Sequence, residues 1–512
     1  MERIAVGTGP LGEGDVLAVA RHDAGVVLTD DARRAITASR AVVDGMAADQ
    51  EPHYGISTGF GALATKHIPP EQRALLQRSL VRSHASGSGP EVEREVVRAM
   101  MLLRLSTLAT GHTGVRLETA EALCALIDAG ITPVVPEFGS LGCSGDLAPL
   151  AHVALTLMGE GVVHDAAGAA MPTERALASA GISPVELGEK EGLALINGTD
   201  GMLGQLLLAC TDLDLLLRTA DITAAMSVEA MLGTARVFAA DLQALRPHPG
   251  QAVAAANMRA LLSGSPIIAS HAGPDCVYVQ DAYSMRCAPQ VAGAARDTLY
   301  HARHVAAVEL SSAIDNPVIV DGRVESNGNF HGAPIGYVLD FLAIAAADLA
   351  SMSERRTDRM LDVARSRGLP AFLADDPGVN SGHMIAQYTQ AALVSELKRL
   401  AVPASVDSIP SSAMQEDHVS MGWSAARKLR RAVDALTRVL AIELLTAARA
   451  LELRNPLRPG PATSAVVAAL RDRVAGPGPD RHMSPEIEAA VEFVRSGVAM
   501  AAAESALEFA LE

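Results

Sequence analysis

The segment Gly139-Ser140-Leu141-Gly142-Cys143-Ser144-Gly145-Asp146-Leu147-Ala148-Pro149-Leu150-Ala151-His152 concentrates the chemistry of this chain. It reads as a tight loop feeding a helix, with Gly142 and Gly145 permitting backbone bends that other residues resist. If such a loop is pinched, the unhindered amide nitrogen of Gly145 can attack the carbonyl of Cys143 and close a five-membered ring. Loss of water leaves an imidazolone, and dehydration of Ser144 adds an exocyclic methylidene. The product is an electrophile that no encoded side chain supplies. Two plainer readings use the same residues. Ser-Gly-Asp is an ordinary helix cap, and Cys143 could be a thiol nucleophile, although nothing nearby pairs with it in the Cys–His manner.

Other blocks carry polar groups at suggestive places. Tyr54 opens Tyr54-Gly55-Ile56-Ser57-Thr58-Gly59-Phe60-Gly61, a glycine-bounded loop, where it is either a packing residue or a reactive phenol. A phenol acting as base near neutral pH needs its pKa lowered by cationic or hydrogen-bonding neighbours. Asn197 ends the apolar run Gly192–Ile196, and a buried Asn is most often a hydrogen-bonding structural residue. Gln280, Tyr283 and Arg286 recur at three-residue steps that one helical face or turn would gather. Arg286 suits a bidentate grip on a carboxylate, with a surface salt bridge as the bland alternative. His84 and Glu416 stand in Arg82-Ser83-His84 and Gln415-Glu416-Asp417-His418-Val419-Ser420-Met421, and Phe330 in Asn327-Gly328-Asn329-Phe330-His331-Gly332.

Ala- and Leu-rich helices must position these groups. Aromatics make up 3% of the 512 residues, so close-packed aliphatic helices are expected to build the core. Leu429, Ala432, Val433, Leu436, Val439, Leu440 and Leu444 recur at helical steps within 427–453, and similar patterns cover 91–109, 203–219, 294–313 and 336–362. Several of these carry apolar residues on more than one side, which suits a long bundle and an oligomer. The chain is expected to be mainly α. Residues 1–205 read as a loop-rich N-terminal domain, and 206–512 as a long-helix bundle whose Pro-broken tail ends in a helix near 486–510.

Composition excludes some partners. A net charge of −17 argues against nucleic acid, which needs a basic face. Five scattered cysteines (Cys124, Cys143, Cys210, Cys276, Cys287) form no CxxC pair and fit a reducing cytoplasm. No signal peptide is evident at the start, and no apolar run approaches the ~18 residues of a membrane span. His301 and His304 lack an acidic or Cys companion, so no metal is expected. Gly7-Thr8-Gly9-Pro10-Leu11-Gly12 matches a GxGxxG fingerprint, with Ile4–Val6 as a strand and Asp30 near the ribose-acid position. Only Asp15–Arg21 reads as helix after it, and no run of βαβ units follows, so it is read as a turn.

On the fourteen-residue string and these blocks, the sequence resembles the aromatic amino acid ammonia-lyases over roughly residues 5–455. The resemblance implies an ammonia-lyase/fumarase-like architecture and a 4-methylidene-imidazol-5-one (MIO) formed from Cys143, Ser144 and Gly145, without metal or nucleotide. Many members have Ala where Cys143 stands, but that side chain hangs off the ring. By the same resemblance Tyr54 is the general base for a β-proton, Asn197 contacts the prosthetic group and substrate, and Phe330 lies against the MIO. Gln280, Tyr283 and Arg286 are site residues, Arg286 holding the substrate carboxylate. Arg82-Ser83-His84 and Glu416 resemble the histidine-acting branch, which implies L-histidine as substrate and trans-urocanate and ammonia as products. A buried carboxylate at 416 pairs with an imidazole but would be left unpaired by an apolar ring. A tyrosine or phenylalanine lyase, or an aminomutase, is the alternative. Ser57, Asp200, Tyr278 and Met414 depart from common family residues. The family implies a homotetramer in which three subunits build each site.

Overall fold

The computed structural model describes residues 3–48, 53–59, 61, 65–273 and 279–512; Phe60, Cys276 and Tyr278 lie outside them. The fold is mainly helical, and the chain forms two compact units. The first comprises Met1–Leu208, Arg303–Leu339 and Pro403–Arg427; the second comprises Ala209–Ala302, Asp340–Val402 and Lys428–Glu512.

The first unit begins with strand Arg3–Val6, helix Glu13–His22 and strand Gly25–Leu28, the two strands pairing in parallel with Ile4 opposite Val26. The helix is longer than the sequence suggests, but among the described residues the pair gains no third strand. The GxGxxG turn serves its own chain. Gly12 N donates to Asp15 Oδ2 at 2.8 Å, and Thr8 donates through N and Oγ1 to Asp31. Asp30 opens the helix Asp30–Ala48.

Helix Arg94–Ala109 is buried on every side from Val96 onward, as its apolar sequence demands. Nearby, three helices pack on one another: Pro70–His84, Leu147–Leu157 and Glu191–Ile196. Their ends carry His84, the loop of Ser144, and Asn197. Hairpin Val318–Val320/Arg323–Glu325 precedes the Phe330 segment. Its Ile319 shares a small buried cluster with Val43 and Ile56, so one apolar contact steadies both the Tyr54 loop and the approach to Phe330. Ile319 N also donates to the His112 carbonyl at 2.8 Å.

Most of the length of each of four long helices belongs to the second unit. The sequence patterns of 203–219, 294–313, 336–362 and 427–453 belong to helices Asp200–Ala230, Ala288–Leu310, Ala333–Leu361 and Gly422–Glu452, each longer than its pattern or shifted toward the N-terminus. The expected last helix is instead two, Met483–Arg495 and Val498–Glu504. Gly497 breaks them at φ +75°, a left-handed conformation. Two stretches, Glu191–Ala230 and Ala333–Leu361, do reach the length and mean hydropathy of a membrane span, contrary to the sequence estimate. The apolar window of the first is wholly buried in protein, so its hydropathy reflects a core position.

Trimming the shared cluster should loosen the first unit. Ile56→Ala should cost about 2–5 kcal/mol and Ile56→Val about 0.5–1.5 kcal/mol. Urea midpoints falling in that order would agree, and unchanged midpoints would refute the anchoring.

Candidate active site

The loop before helix Leu147–Leu157 is bent at two glycines. Gly142 (φ +65°) and Gly145 (φ +74°) are left-handed, and a Cβ at Gly145 would stand 2.2 Å from the Gly198 carbonyl oxygen. The next residue is fixed as well. Asp146 N donates to that same Gly198 carbonyl at 2.7 Å, while Asp146 accepts from Ser140 Oγ at 2.9 Å and Met202 N at 2.8 Å. From the other side, Ser420 Oγ and Gly332 N both donate to the Gly142 carbonyl, at 2.7 and 3.2 Å. Met421 N donates to the Leu141 carbonyl at 2.9 Å. These bonds draw the Phe330 and Glu416 segments onto the loop.

Ser144 Oγ donates to Asn197 Oδ1 at 2.9 Å. The orientation of that amide is set by its other end, since Asn197 Nδ2 donates to the Asn316 carbonyl at 2.8 Å. Asn316 follows Asp315, which forms a fully buried ion pair with Lys190 at 2.6 Å. Burial pushes the Lys190 pKa down, with Asp315 opposing. Arg104 ties the same segments together. Fully buried, it donates to the carbonyls of Ala194, Asn197 and Ile314 and lies 3.3 Å from Asp200. Asp200, a departure from the common family residue, is therefore the counter-charge of Arg104.

Cys143 Sγ donates to Glu416 Oε2 at 2.9 Å, and Ser411 Oγ donates to the same oxygen at 2.9 Å. Burial, then the bond and charge of Glu416, push the thiol pKa up to about 12. So high a value removes the thiolate that a cysteine nucleophile requires. His84 is half-buried at the end of its helix, with Nδ1 2.9 Å from the Leu80 carbonyl. A carbonyl can only accept, so that nitrogen carries the proton and Nε2 is left to accept. Burial lowers the His84 pKa, opposed by the Leu80 bond and by the charge of Glu416. Tyr54 is half-buried, and its hydroxyl accepts from Gly61 N at 3.2 Å. Buried Ser57 accepts from His53 N through Oγ at 2.9 Å, inside that same turn. Met414 is exposed at the tip of the Glu416 segment, in a left-handed conformation.

The first unit thus brings together Cys143, Ser144, Gly145, Asn197, His84 and Glu416, with Tyr54 and half-buried Phe330 on segments anchored to the same unit. Gln280, Tyr283 and Arg286 belong to the second unit. Only Tyr283 and Arg286 share a helical turn, Tyr283–Arg286; Gln280 lies on the exposed stretch before it. Among the described residues none of the three makes a side-chain hydrogen bond or ion pair, so the bland salt-bridge role for Arg286 is not realised. Arg104, Asp146 and Ser420 escaped sequence reasoning as site-builders. The available signal for Arg104 was a charge inside the apolar run Met100–Leu105.

Residues 11–472 match the family model described as aromatic amino acid lyase. The chain belongs to the aromatic amino acid lyase family. A histidine ammonia-lyase of Streptomyces avermitilis is 65% identical over 507 residues, with 99% of each chain covered. Among solved structures, a tyrosine aminomutase from Streptomyces globisporus is 40% identical with a TM-score of 0.93 and 100% coverage of both chains. Histidine ammonia-lyase from Trypanosoma cruzi is 38% identical with a TM-score of 0.90, covering 99% of this chain and 96% of that one. The residues fit the MIO of this family. The glycine bends pinch the loop, no side chain is tolerated at Gly145, and the Ser144 hydroxyl to be eliminated is held by Asn197. Among the described residues no group of three or more His, Cys, Asp or Glu could hold a metal.

Asp146 yields a pH prediction. Burial, reinforced by the nearby Asp200 charge, pushes its pKa up to about 7 from 3.8, against the donors Met202 and Ser140. The folded chain therefore holds a proton that the unfolded chain releases. This contribution to stability is full below pH 3.8, declines as pH rises, and is lost above about pH 7. Wild type should lose urea resistance relative to Asp146→Asn across that window. A difference that stays flat from pH 4 to 7 would contradict the assignment.

Proposed function

We propose that this protein is a cytoplasmic, homotetrameric histidine ammonia-lyase that converts L-histidine to trans-urocanate and ammonia. The observation that carries the substrate choice is the Glu416 carboxylate at 2.9 Å from Cys143 Sγ, its charge reaching His84. The carboxylate already accepts from Cys143 and Ser411 through Oε2 and has further acceptor capacity, so with the neutral imidazole acceptor beside it the reactive loop suits an N–H-bearing ring better than a phenyl ring, which offers no donor. The names of the Streptomyces avermitilis and Trypanosoma cruzi relatives support the same choice.

When formed from Cys143, Ser144 and Gly145, the MIO supplies an electrophile that makes the substrate amine a workable leaving group. The encoded side chains do the rest. Arg286 binds the carboxylate through its paired N–H donors, and Gln280 and Tyr283 line the same side of the substrate. His84 and Glu416 orient the imidazole. Tyr54 takes the β-proton on its phenolic oxygen, aided by the Gly61 N–H that already donates to it. Asn197 holds the residue-144 position, and Phe330 screens it from water. Gln280, Tyr283 and Arg286 come from neighbouring subunits, so that three chains complete each site. That none of the three has a side-chain partner among the described residues supports this reading, as do the apolar long helices. The scattered cysteines, none of them in a disulfide among the described residues, support a reducing compartment.

A tyrosine lyase or aminomutase would share the triad but not the need for Glu416. Arylacrylate formation from L-His, L-Phe and L-Tyr, followed by ultraviolet absorbance, separates the readings. Urocanate from histidine alone is expected, with Glu416→Gln lowering kcat/KM by about 10- to 100-fold. Turnover of tyrosine or phenylalanine, with Glu416→Gln neutral, would overturn the substrate choice.

A further inference from the structure

We propose that Arg356, clamped by Glu443, is a positioning residue for the substrate-carboxylate grip. The turn Tyr283–Arg286 has only four residues, too few to hold a helix by itself. It abuts the long helix Ala288–Leu310 through Cys287, and within the second unit two buried groups also hold it from outside. Upstream, Asp281 accepts from Thr234 N at 2.8 Å and from Arg367 at 2.9 Å. In the turn itself, the Ser284 carbonyl accepts from Arg356 NH1 at 3.1 Å.

Arg356 is 1% exposed and Glu443 fully buried. The guanidinium faces the carboxylate with Nε and NH2, the latter at 2.9 Å from Oε2, which leaves NH1 for Ser284. Glu443 is itself fixed by Thr223 Oγ1 at 2.9 Å and Ser227 Oγ at 2.7 Å. A rigid fork is thereby aimed at one carbonyl, between the two exposed or half-buried side chains Tyr283 and Arg286. Buried ion pairs are a poor source of stability compared with apolar packing. What this one provides is geometry: it fixes the origin from which Arg286 reaches out.

The proposal rests on reading Arg286 as the carboxylate grip. Its test uses the full-length protein and two ligands, imidazolepropionate, which has a carboxylate, and histamine, which has none. Their affinities are measured by calorimetric titration, independent of turnover. Arg356→Lys keeps the charge for Glu443 but cannot span both partners. The double variant Arg356→Met with Glu443→Gln removes the pair without stranding a buried charge. Each should weaken imidazolepropionate about tenfold while leaving histamine within about twofold. Arg286→Lys serves as reference and should show the same selective loss. If Arg286→Lys loses imidazolepropionate but both Arg356 variants bind it normally, the positioning role is overturned. Equal weakening of the two ligands in the Arg356 variants would overturn it too, marking a general structural defect. Undiminished imidazolepropionate binding in Arg286→Lys would instead overturn the carboxylate reading beneath it.

Discussion

A guanidinium without access to water, that of Arg104, is the constraint on which the first unit's site depends. A buried charge is tolerated only when it is paired and its donors are used. Arg104 meets that demand through NH1 and NH2, which collect the carbonyls of residues 194, 197 and 314 and face the carboxylate of Asp200, while Nε has no hydrogen-bond partner among the described residues. In doing so it brings the end of helix Glu191–Ile196 to the segment that carries Asp315 and Asn316. Asn197 then has one amide orientation, and Ser144 has its partner. The Lys190–Asp315 pair repeats the device one residue away.

Around that hub the reactive loop is held from several sides. Gly198 takes the Asp146 N–H, Ser420 and Gly332 take the Gly142 carbonyl, and Glu416 takes the Cys143 thiol. Each contact comes from a different stretch of chain, so displacing any one segment disturbs the others. The cysteine is a donor here, its high pKa keeping it out of nucleophilic chemistry. Asp146, like Asp200, is a carboxylate whose charge burial disfavours.

Much of this was readable in one dimension, because local pattern governs helix formation. The apolar repeats in 91–109 and 427–453 mark helices Arg94–Ala109 and Gly422–Glu452 with ends a few residues off. The string around Ser144 carries its own bends as glycines. What escaped was non-local. Nothing in the sequence near Gly142 announces Ser420 or Gly332, and Arg104 hides inside the apolar run Met100–Leu105. The split of the last helix turned on Gly497 adopting a left-handed conformation, a choice that its sequence allows without requiring. The apolar stretch Glu191–Ala230 is hard to see in the sequence because Asn197, Gly198 and Thr199 interrupt it, and there the chain leaves one helix, Glu191–Ile196, before starting the next, Asp200–Ala230. That Tyr283 and Arg286 share a turn while Gln280 does not follows from how short that helix is.

The central claim is that residues 143–145 become an electrophile, and the mass of the intact chain tests it most directly. Wild-type protein should be lighter than its encoded mass by two waters, with the deficit mapping to the peptide that contains Ser144. The Ser144→Ala chain should lack it. A catalytically active wild-type chain at its full encoded mass would contradict the account.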